Sequence, residues 1–232
     1  MKKITIFTLL LIFTFATTSF AQDAPGKPTE PEKPDFLKDR LFIDVFHSFW
    51  IDAPKTATAK KFNPGFNIGM VFDFKQNKKA PFSFGLGVGF TYHTQYSDAL
   101  FKKGNDDVLR YYNLPDSSFH HKMNYFSCNI PLEFRYRHQK SGFKATLGVR
   151  IGLVAEISER YKGCNIDDPS AADWNFKNYN LPNKMKYHFD VYARIGWKYF
   201  SVYYSYQLTP VFQEGLGPKM APMSIGFTYT LF

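Results

Sequence analysis

Alternation of apolar residues with small or polar ones, at a period of two, is the sequence feature that most constrains how this chain can fold. In PFSFGLGVGFTYH, residues 81–93, the positions between the apolar residues hold Ser, Gly, Gly, Gly, Thr and His. Side chains of a strand point alternately to opposite faces, so the segment predicts a β-strand. One face of this strand is large and apolar, and the other is almost empty.

Eight segments with this alternation occur along the chain, and each predicts one strand. They cover residues 40–52, 65–75, 81–93, 125–137, 143–158, 188–198, 201–208 and 223–232. Short connections lie near 76–80, 138–142 and 199–200, and long ones lie at 53–61, 94–122, 159–183 and 210–221. Such alternation of loop lengths is typical of an up-and-down barrel with tight turns at one rim.

The fold class predicted for residues 37–232 is all-β, an eight-stranded antiparallel up-and-down transmembrane β-barrel. The long connection 94–122 contains VLRYYNL, which would either extend a hairpin above the membrane or add two strands and make ten. The first strand has apolar residues on both faces, so the pattern does not assign its sides.

Residues 1–21 have the features of a secretory signal peptide. Lys2 and Lys3 precede an apolar run, and small residues follow it at Ser19-Phe20-Ala21. The run is short for a bilayer core of about 30 Å, so we expect export rather than a membrane anchor. Residues 22–36 are rich in Pro, Glu and Lys, which predicts a disordered periplasmic tail.

The net charge indicates which partners the exported chain can have. The formal charge of +9 becomes +7 once the two signal-peptide lysines are removed, and the basic residues are scattered. We therefore expect no nucleic acid as a partner. A scattered basic surface fits anionic headgroups, so the expected partners are outer-membrane lipid and lipopolysaccharide. A protein partner would bind loops 94–122 and 159–183 or the tail 22–36.

Strands of a soluble β-sandwich also alternate between apolar and polar residues, so the residue types on the two faces decide between the two folds. Every predicted strand carries large apolar residues, more than a small sandwich core uses, which favours contact with acyl chains. The interior of an eight-stranded barrel has room only for side chains. Gly85, Gly87 and Gly89 would make space there, and we predict an ionic network in the lumen rather than an open pore. Its predicted members are Asp73, Glu133, Arg135, Arg150, Glu156, Asp190 and Arg194.

Aromatic residues near the strand ends are expected at the two membrane interfaces. They are Tyr92, Tyr125, Tyr136, Tyr187, Trp197 and Tyr229. With both termini on the periplasmic side, four long loops would face the cell exterior. The predicted location is the bacterial cell outer membrane.

The strand NYFSCNIPLEFRYR resembles a strand of the PorT-like outer-membrane β-barrel domain family. The likeness is carried by Ile130, Pro131, Leu132, Arg135 and Tyr136. The segments GVRIGLVAEIS, FDVYARIGWKY and SVYYSYQLTPVF look like the later strands of that family, so the resemblance covers nearly the whole mature chain. It implies a small outer-membrane barrel, and some members are linked to the type IX secretion and gliding apparatus.

Small outer-membrane barrels that are enzymes place a His, a Ser and an acid together to cut or transfer an acyl chain. The candidates are His120 and His121 with Asp116 and Ser118, His93 with Ser97 and Asp98, and His188 with Asp190. Their spacings are unspecific, and neighbouring histidines do not readily share a metal. Cys128 and Cys164 would lie more than about 7 Å apart, so we expect no disulfide. We predict no catalytic residue, no metal site and no cofactor.

These observations favour a structural or binding role over an enzyme. The preferred function is that of an accessory subunit of an outer-membrane assembly such as a secretion apparatus. The alternative from another class is a lipid-modifying hydrolase or acyltransferase at the outer leaflet. A third interpretation is an open pore, which predicts single-channel conductance.

Overall fold

The computed structural model describes residues 41–53, 62–74, 80–97, 99–113, 120–138, 140–165, 168, 170 and 172–231. The predicted signal peptide (1–21) and tail (22–36) lie outside the described residues. No helix in these ranges is long and apolar enough to cross a membrane.

The described part of the chain forms eleven β-strands. In chain order they are β1 (Leu41–Ile51), β2 (Pro64–Phe74), β3 (Phe82–Ser97), β4 (Ala99–Lys103), β5 (Leu109–Asn113), β6 (His120–Arg137), β7 (Phe143–Gly163), β8 (Trp174–Asn178), β9 (Tyr187–Trp197), β10 (Phe200–Gln207) and β11 (Ala221–Leu231). The predicted segments correspond to β1, β2, β3, β6, β7, β9, β10 and β11. The other three strands lie in two of the long connections.

The eight predicted strands form a closed antiparallel ring. The sheet order is β6-β3-β2-β1-β11-β10-β9-β7-β8, and an additional pairing of β6 with β7 closes it. Strands β1 and β11 pair from Leu41 opposite Leu231 to Ile51 opposite Ala221. The predicted eight-stranded barrel is therefore confirmed. Strands β4 and β5 form a separate two-stranded sheet, so the barrel does not grow to ten strands.

The two ends of the barrel differ in their connections. The turn end carries the connections 75–81, 138–142 and 198–199, together with the start of β1 and the end of β11, and the loop end carries the longer connections. The β9–β10 turn consists of Lys198 and Tyr199, one residue earlier than the sequence suggested, because Trp197 pairs with Phe200. Lys198 has a φ of 48°, the left-handed conformation that two-residue hairpin loops use.

Apolar side chains cover the outside of the barrel. Along β3, exposed Phe84, Leu86 and Val88 alternate with buried glycines. In β2, Val71 breaks the alternation of polar inward residues, and it is fully buried in the lumen. In β1, the structure assigns the faces that the sequence left open, since Asp44 is buried and Val45 is exposed. The barrel thus has an apolar outer wall and a mostly polar interior.

A β-bulge reverses the faces of β7 partway along the strand. Ser127 of β6 pairs with Val154, whereas the preceding Phe126 pairs with Glu156. Ala155 is therefore an extra residue without a partner of its own. Between this bulge and the turn end, the outward residues of β7 are odd-numbered, whereas towards the loop end the exposed residues are the even-numbered Arg160 and Lys162, and Ser158 is buried.

Two expectations about the outer face are wrong. The period-two pattern of segment 143–158 would place the apolar Ile157 outward, but Ile157 lies past the bulge, faces Tyr125 across the strand pair and is fully buried. Tyr125 was expected at a membrane interface, but it points into the lumen, where its hydroxyl group donates a hydrogen bond to Gln207 Oε1 at 3.3 Å. An aromatic residue at a strand end is thus not by itself a sign of interface contact.

Candidate functional site: the charged lumen and its cap

Ion pairs fill the half of the lumen nearer the turn end. Arg135 Nη1 lies 2.7 Å from Asp73 Oδ1, and Arg135 Nε donates to Glu133. Arg194 Nη1 donates to Glu133 Oε1 at 2.7 Å. Arg194 Nε and Nη2 donate to the two carboxylate oxygens of Asp44 at 3.0 and 2.8 Å. Each guanidinium group therefore joins two carboxylates.

A second polar group occupies the middle of the lumen. Arg150 Nε lies 3.1 Å from Asp190 Oδ2, and Arg150 Nη2 donates to the Tyr203 hydroxyl at 2.8 Å. His188 Nδ1 lies 2.9 Å from Asp190 Oδ1, and its Nε2 lies 2.9 Å from Asn129 Oδ1. These contacts join residues of β6, β7, β9 and β10.

Amide and hydroxyl groups connect the two sets of contacts. Asn129 Nδ2 donates to Thr91 Oγ1 at 2.6 Å, and Thr91 Oγ1 donates to Asn67 Oδ1 at 3.1 Å. Asn67 Nδ2 donates to Asp44 Oδ2 at 2.8 Å. We call the connected set the lumen network: Asp44, Asn67, Asp73, Thr91, Asn129, Glu133, Arg135, Arg137, Arg150, His188, Asp190 and Arg194. Its four carboxylates and four guanidinium groups cancel in formal charge.

Aromatic rings and glycines complete the packing of the lumen. The Arg194 guanidinium lies 4.0 Å from the Phe42 ring centroid, and both Arg194 and Arg150 lie within 5 Å of the Tyr192 ring centroid. A Cβ on Gly148 would lie 2.4 Å from the Tyr192 ring, so this glycine provides the space that the ring occupies. A cavity of about 20 Å³ remains at the turn end, enough for one water molecule.

The structure brings six of the seven predicted site residues into the lumen network. They are Asp73, Glu133, Arg135 and Arg194 near the turn end, and Arg150 and Asp190 in the middle. The prediction for Glu156 is wrong. The bulge at Ala155 places Glu156 opposite Phe126, on the outer face of the barrel.

Sequence reasoning missed Asp44, which is a central member of the lumen network. Asp44 is fully buried and accepts hydrogen bonds from Arg194 and Asn67. It shares its face of β1 with the inward rings of Phe42 and Phe46, so the polar face was hidden by aromatic residues. The available signal was the single acid of β1, in a strand whose only other polar residues are His47 and Ser48.

A hydrophobic cap closes the lumen at the loop end. Its buried residues come from the β4–β5 hairpin, the barrel wall and the connections before β9 and after β10. They are Phe101, Leu109, Met123, Tyr125, Val154, Ile157, Leu181, Val211, Phe212 and Met220. The backbone N–H of Leu109 donates to Leu216 O at 2.9 Å, which joins the hairpin to the β10–β11 connection. At the hairpin tip, hydrogen bonds from Arg110 lower the pKa of the Asp106 carboxyl.

One buried histidine connects the cap to the barrel wall. His121 Nδ1 lies 2.8 Å from Ser97 Oγ, and His121 Nε2 lies 2.8 Å from Glu159 Oε1. The Glu159 carboxylate also accepts the Phe101 backbone N–H at 2.8 Å and the Asn178 side-chain amide at 3.4 Å. Glu159 therefore joins β4, β6, β7 and β8 at one point.

Two other candidate histidines, His93 and His188, are buried in the barrel, and only His188 has the partner suggested by the sequence. His93 Nδ1 lies 2.9 Å from Ser48 Oγ, so it pairs with β1 rather than with Ser97. His188 does contact Asp190, as part of the lumen network. Asp98, Asp116, Ser118 and the His120 side chain lie outside what the structure describes. Cys128 and Cys164 are free thiols.

Replacing Glu159 with Ala is expected to release the cap while the barrel stays closed. The change leaves the Phe101 N–H and the His121 imidazole without their acceptor, at a cost of about 2 kcal/mol. Limited proteolysis within residues 99–113 should become at least about tenfold faster. The control Glu156→Ala lies three residues away on the outer face and should leave the cleavage rate unchanged. Equal acceleration in both variants would contradict this role of Glu159.

Residues 43–213 match a family model described as an outer membrane protein β-barrel domain. The chain belongs to this family. An outer membrane protein β-barrel domain places the protein in the bacterial outer membrane, as predicted. Short turns of such barrels face the periplasm, and long loops face the cell exterior. The turn end of this barrel therefore faces the periplasm, and its loop end faces the exterior. The family match does not distinguish PorT-like members.

The fold of this chain is similar to those of several outer-membrane proteins with solved structures. One is Ail, the attachment invasion locus protein of Yersinia pestis, in complex with the heparin analogue sucrose octasulfate, at 11% identity and a TM-score of 0.43. The match covers 83% of this chain and 97% of Ail. Another is the outer membrane protease OmpT from Escherichia coli, at 11% identity and a TM-score of 0.39, covering 74% of this chain and 64% of OmpT. No curated protein sequence matches the chain.

Proposed function

We propose that this protein is a sealed outer-membrane barrel with a structural or binding role, an accessory subunit of an outer-membrane assembly such as a secretion apparatus. The observation that carries the proposal is the filled lumen. The lumen network occupies the barrel from the turn end to its middle, and the hydrophobic cap covers the loop end. Because the interior is occupied by the protein's own side chains, binding sites for partners belong to the outer surfaces.

Three segments are the proposed contacts with a protein partner. Loop 94–122 contains the β4–β5 hairpin, and loop 159–183 contains the end of β7 and strand β8, so both present ordered strands beyond the barrel. The tail 22–36 would become the periplasmic amino terminus once a signal peptide ending at residue 21 is removed. The PorT-like resemblance of the β6 segment supports an apparatus of the secretion class.

Affinity capture of the full-length protein from gently solubilised native membranes tests this role. Mass spectrometry should identify a stoichiometric component of a secretion or assembly apparatus. A matched capture from cells that produce the chain without residues 22–36 would show whether the tail carries the contact. Recovery of the barrel with lipopolysaccharide alone would overturn the accessory-subunit proposal.

The filled lumen also predicts the behaviour of the purified protein in planar bilayers. We expect no steady single-channel conductance, because side chains of the lumen network and the cap occupy the interior of the barrel that the structure describes. Glu159→Ala should leave the bilayer silent as well, since it releases only the cap above an intact network. Discrete conductance steps from the unmodified protein would contradict the proposal and favour an open pore.

A hydrolase or acyltransferase is the second candidate, because Ser97, His121 and Glu159 form a hydrogen-bonded row of the residue types used in acyl transfer. Their geometry supports a structural tie instead. Ser97 is 6% exposed, His121 1% and Glu159 0%, and the carboxylate that orients the histidine also holds the Phe101 backbone. A serine covered in this way has no open approach for an acyl chain.

Assays of lipid A composition separate the two candidates. A structural tie predicts the same lipid A species in cells producing the unmodified protein and in cells producing Ser97→Ala, His93→Gln, His121→Gln or His188→Gln. Loss of a deacylated or acyl-transferred species in the Ser97→Ala and His121→Gln cells would establish the enzyme. The abundance of each folded variant in the membrane, measured in parallel, separates lost activity from lost protein.

A further inference from the structure

A row of basic residues crosses the outer face of the barrel wall near the loop end. Lys122 of β6 pairs with Arg160 of β7, and Arg160 pairs with Lys177 of β8. On the other side, Lys122 pairs with Tyr96 of β3, and its Nζ lies 5.7 Å from the Tyr96 ring centroid. Directly opposed residues of neighbouring strands share a face, so three cations line up over about 10 Å. We call Lys122, Arg160 and Lys177 the basic row.

The basic row is unfavourable for the sheet that carries it. Like charges placed directly opposite each other on neighbouring strands destabilise the pairing. Arginines inside the lumen each contact a carboxylate, as Arg194 contacts Asp44 at 2.8 Å. In the part of the chain that the structure describes, no carboxylate forms an ion pair with a residue of the basic row. Arg160 and Lys177 are exposed, so an external anion can reach them.

The basic row lies just beyond the apolar belt of the barrel. On β6, the outward residues from Phe126 to Tyr136 form this belt, and Lys122 lies four positions before Phe126 in the chain, on its loop-end side. Four residues of strand span about 13 Å, or about 10 Å along the membrane normal for a strand tilted by about 40°. Long basic side chains from this level extend toward the interface and reach the headgroup layer of the outer leaflet.

We propose that the basic row binds the phosphate groups of a phosphorylated glycolipid of the outer leaflet. The Arg160 guanidinium can hold a phosphate through two parallel N–H donors, and the flanking lysines supply point charges. The Lys177 Nζ lies 4.1 Å from the Tyr179 ring centroid, so an aromatic ring flanks each end of the row, where a sugar ring can pack. The proposal rests on the outer-membrane location and is independent of the accessory-subunit role.

The test uses the full-length barrel in a neutral detergent, titrated with diphosphoryl lipid A. The variant Lys122→Gln/Arg160→Gln/Lys177→Gln removes the basic row. The control Lys140→Gln/Lys198→Gln/Lys219→Gln removes the same charge from exposed lysines elsewhere. Heat-modifiable migration in gels confirms that each barrel is folded.

Loss of the basic row should weaken lipid A binding by about 100-fold, because each of the three basic residues raises the affinity for an anionic surface by about fivefold. The control should bind as the unmodified protein does. Lipid A stripped of both phosphates, and inorganic phosphate at the same concentration, should bind weakly to all three proteins. Without lipid, the row variant should also melt at a higher temperature than the unmodified protein, because the like-charge pairs are gone.

Four outcomes would overturn the proposal. Unchanged lipid A affinity in the row variant would show that other residues hold the lipid. An equal loss in the control would show general attraction between charges without a site. Equal affinities for inorganic phosphate and lipid A would show a free-anion site. A row variant that keeps lipid A but loses a copurifying protein would reassign the row to protein docking. The measurements with lipid A and inorganic phosphate use the isolated barrel and are independent of the capture experiment.

Discussion

Replacing Arg194 with Leu is expected to lower the free energy of unfolding by about 3–5 kcal/mol, the largest effect of any single change in the lumen. The substitution leaves the Glu133 and Asp44 carboxylates buried without the guanidinium group that joins them. The penalty is a large part of the 5–15 kcal/mol that stabilises a typical folded protein. Urea unfolding in lipid vesicles, followed by tryptophan fluorescence, measures the loss.

The control for this experiment is Arg137→Leu. The Arg137 side chain lies at the turn end, is 20% exposed and sits 3.3 Å from Asp73, so water screens the loss to under about 1 kcal/mol. Adding Asp44→Asn to Arg194→Leu restores the neutral formal charge of the lumen network, because Glu133 keeps Arg135 as its partner, and should recover part of the stability. A loss for Arg194→Leu as small as that for Arg137→Leu would mean that the buried ion pairs of Arg194 do not hold the barrel.

The second large effect is expected from Gly87→Ala in the small-residue face of β3. A Cβ at this position would lie 2.2 Å from the Met70 carbonyl oxygen and 2.8 Å from the Val71 Cα. Both contacts are with backbone atoms, so relief requires strands β2 and β3 to move apart. We expect a loss of about 3 kcal/mol, at the upper end of the cost of overpacking.

Gly89→Ala is a matched control two residues away on the same face. Its Cβ would lie 3.1 Å from the nearest atom, the Ile68 carbonyl oxygen, so a small adjustment suffices and the loss should stay under about 1 kcal/mol. The same urea titration compares the two variants. If the two variants lose the same stability, the flexibility of glycine, and not the lack of space for a Cβ, explains why β3 has glycines on its inner face.

The architecture of the barrel could be predicted from the sequence because its physical cause is local. A membrane strand must present an apolar face to lipid, and this requirement produces the period-two pattern in every wall strand. The one strand with ambiguous faces was β1, where Phe42 and Phe46 point into the lumen. An eight-stranded barrel admits inward aromatic rings when small residues lie opposite, as Gly69 and Gly65 do here.

The site was predicted less completely than the fold. The errors in that prediction come from how strands pair in three dimensions, which the sequence pattern does not show. A bulge adds one residue to β7 without changing its composition, so the pattern extrapolated Glu156 into the lumen when Glu159 is the inward acid. The partner of Arg194 is Asp44, 150 positions earlier in the chain. Barrel closure brings them together, and no spacing within the sequence records that contact.

The pairing of β1 with β11 restricts how the cell can assemble this protein. Leu41 finds its partner at Leu231, 190 positions later, so an incompletely delivered chain presents an unpaired β1 edge. Asp44 likewise lacks both Thr228 and Arg194 until the last strands arrive. A prematurely terminated chain therefore has neither a sealed wall nor a neutral interior. Such a product is a client for periplasmic chaperones and proteases, and quality control can act before insertion is complete.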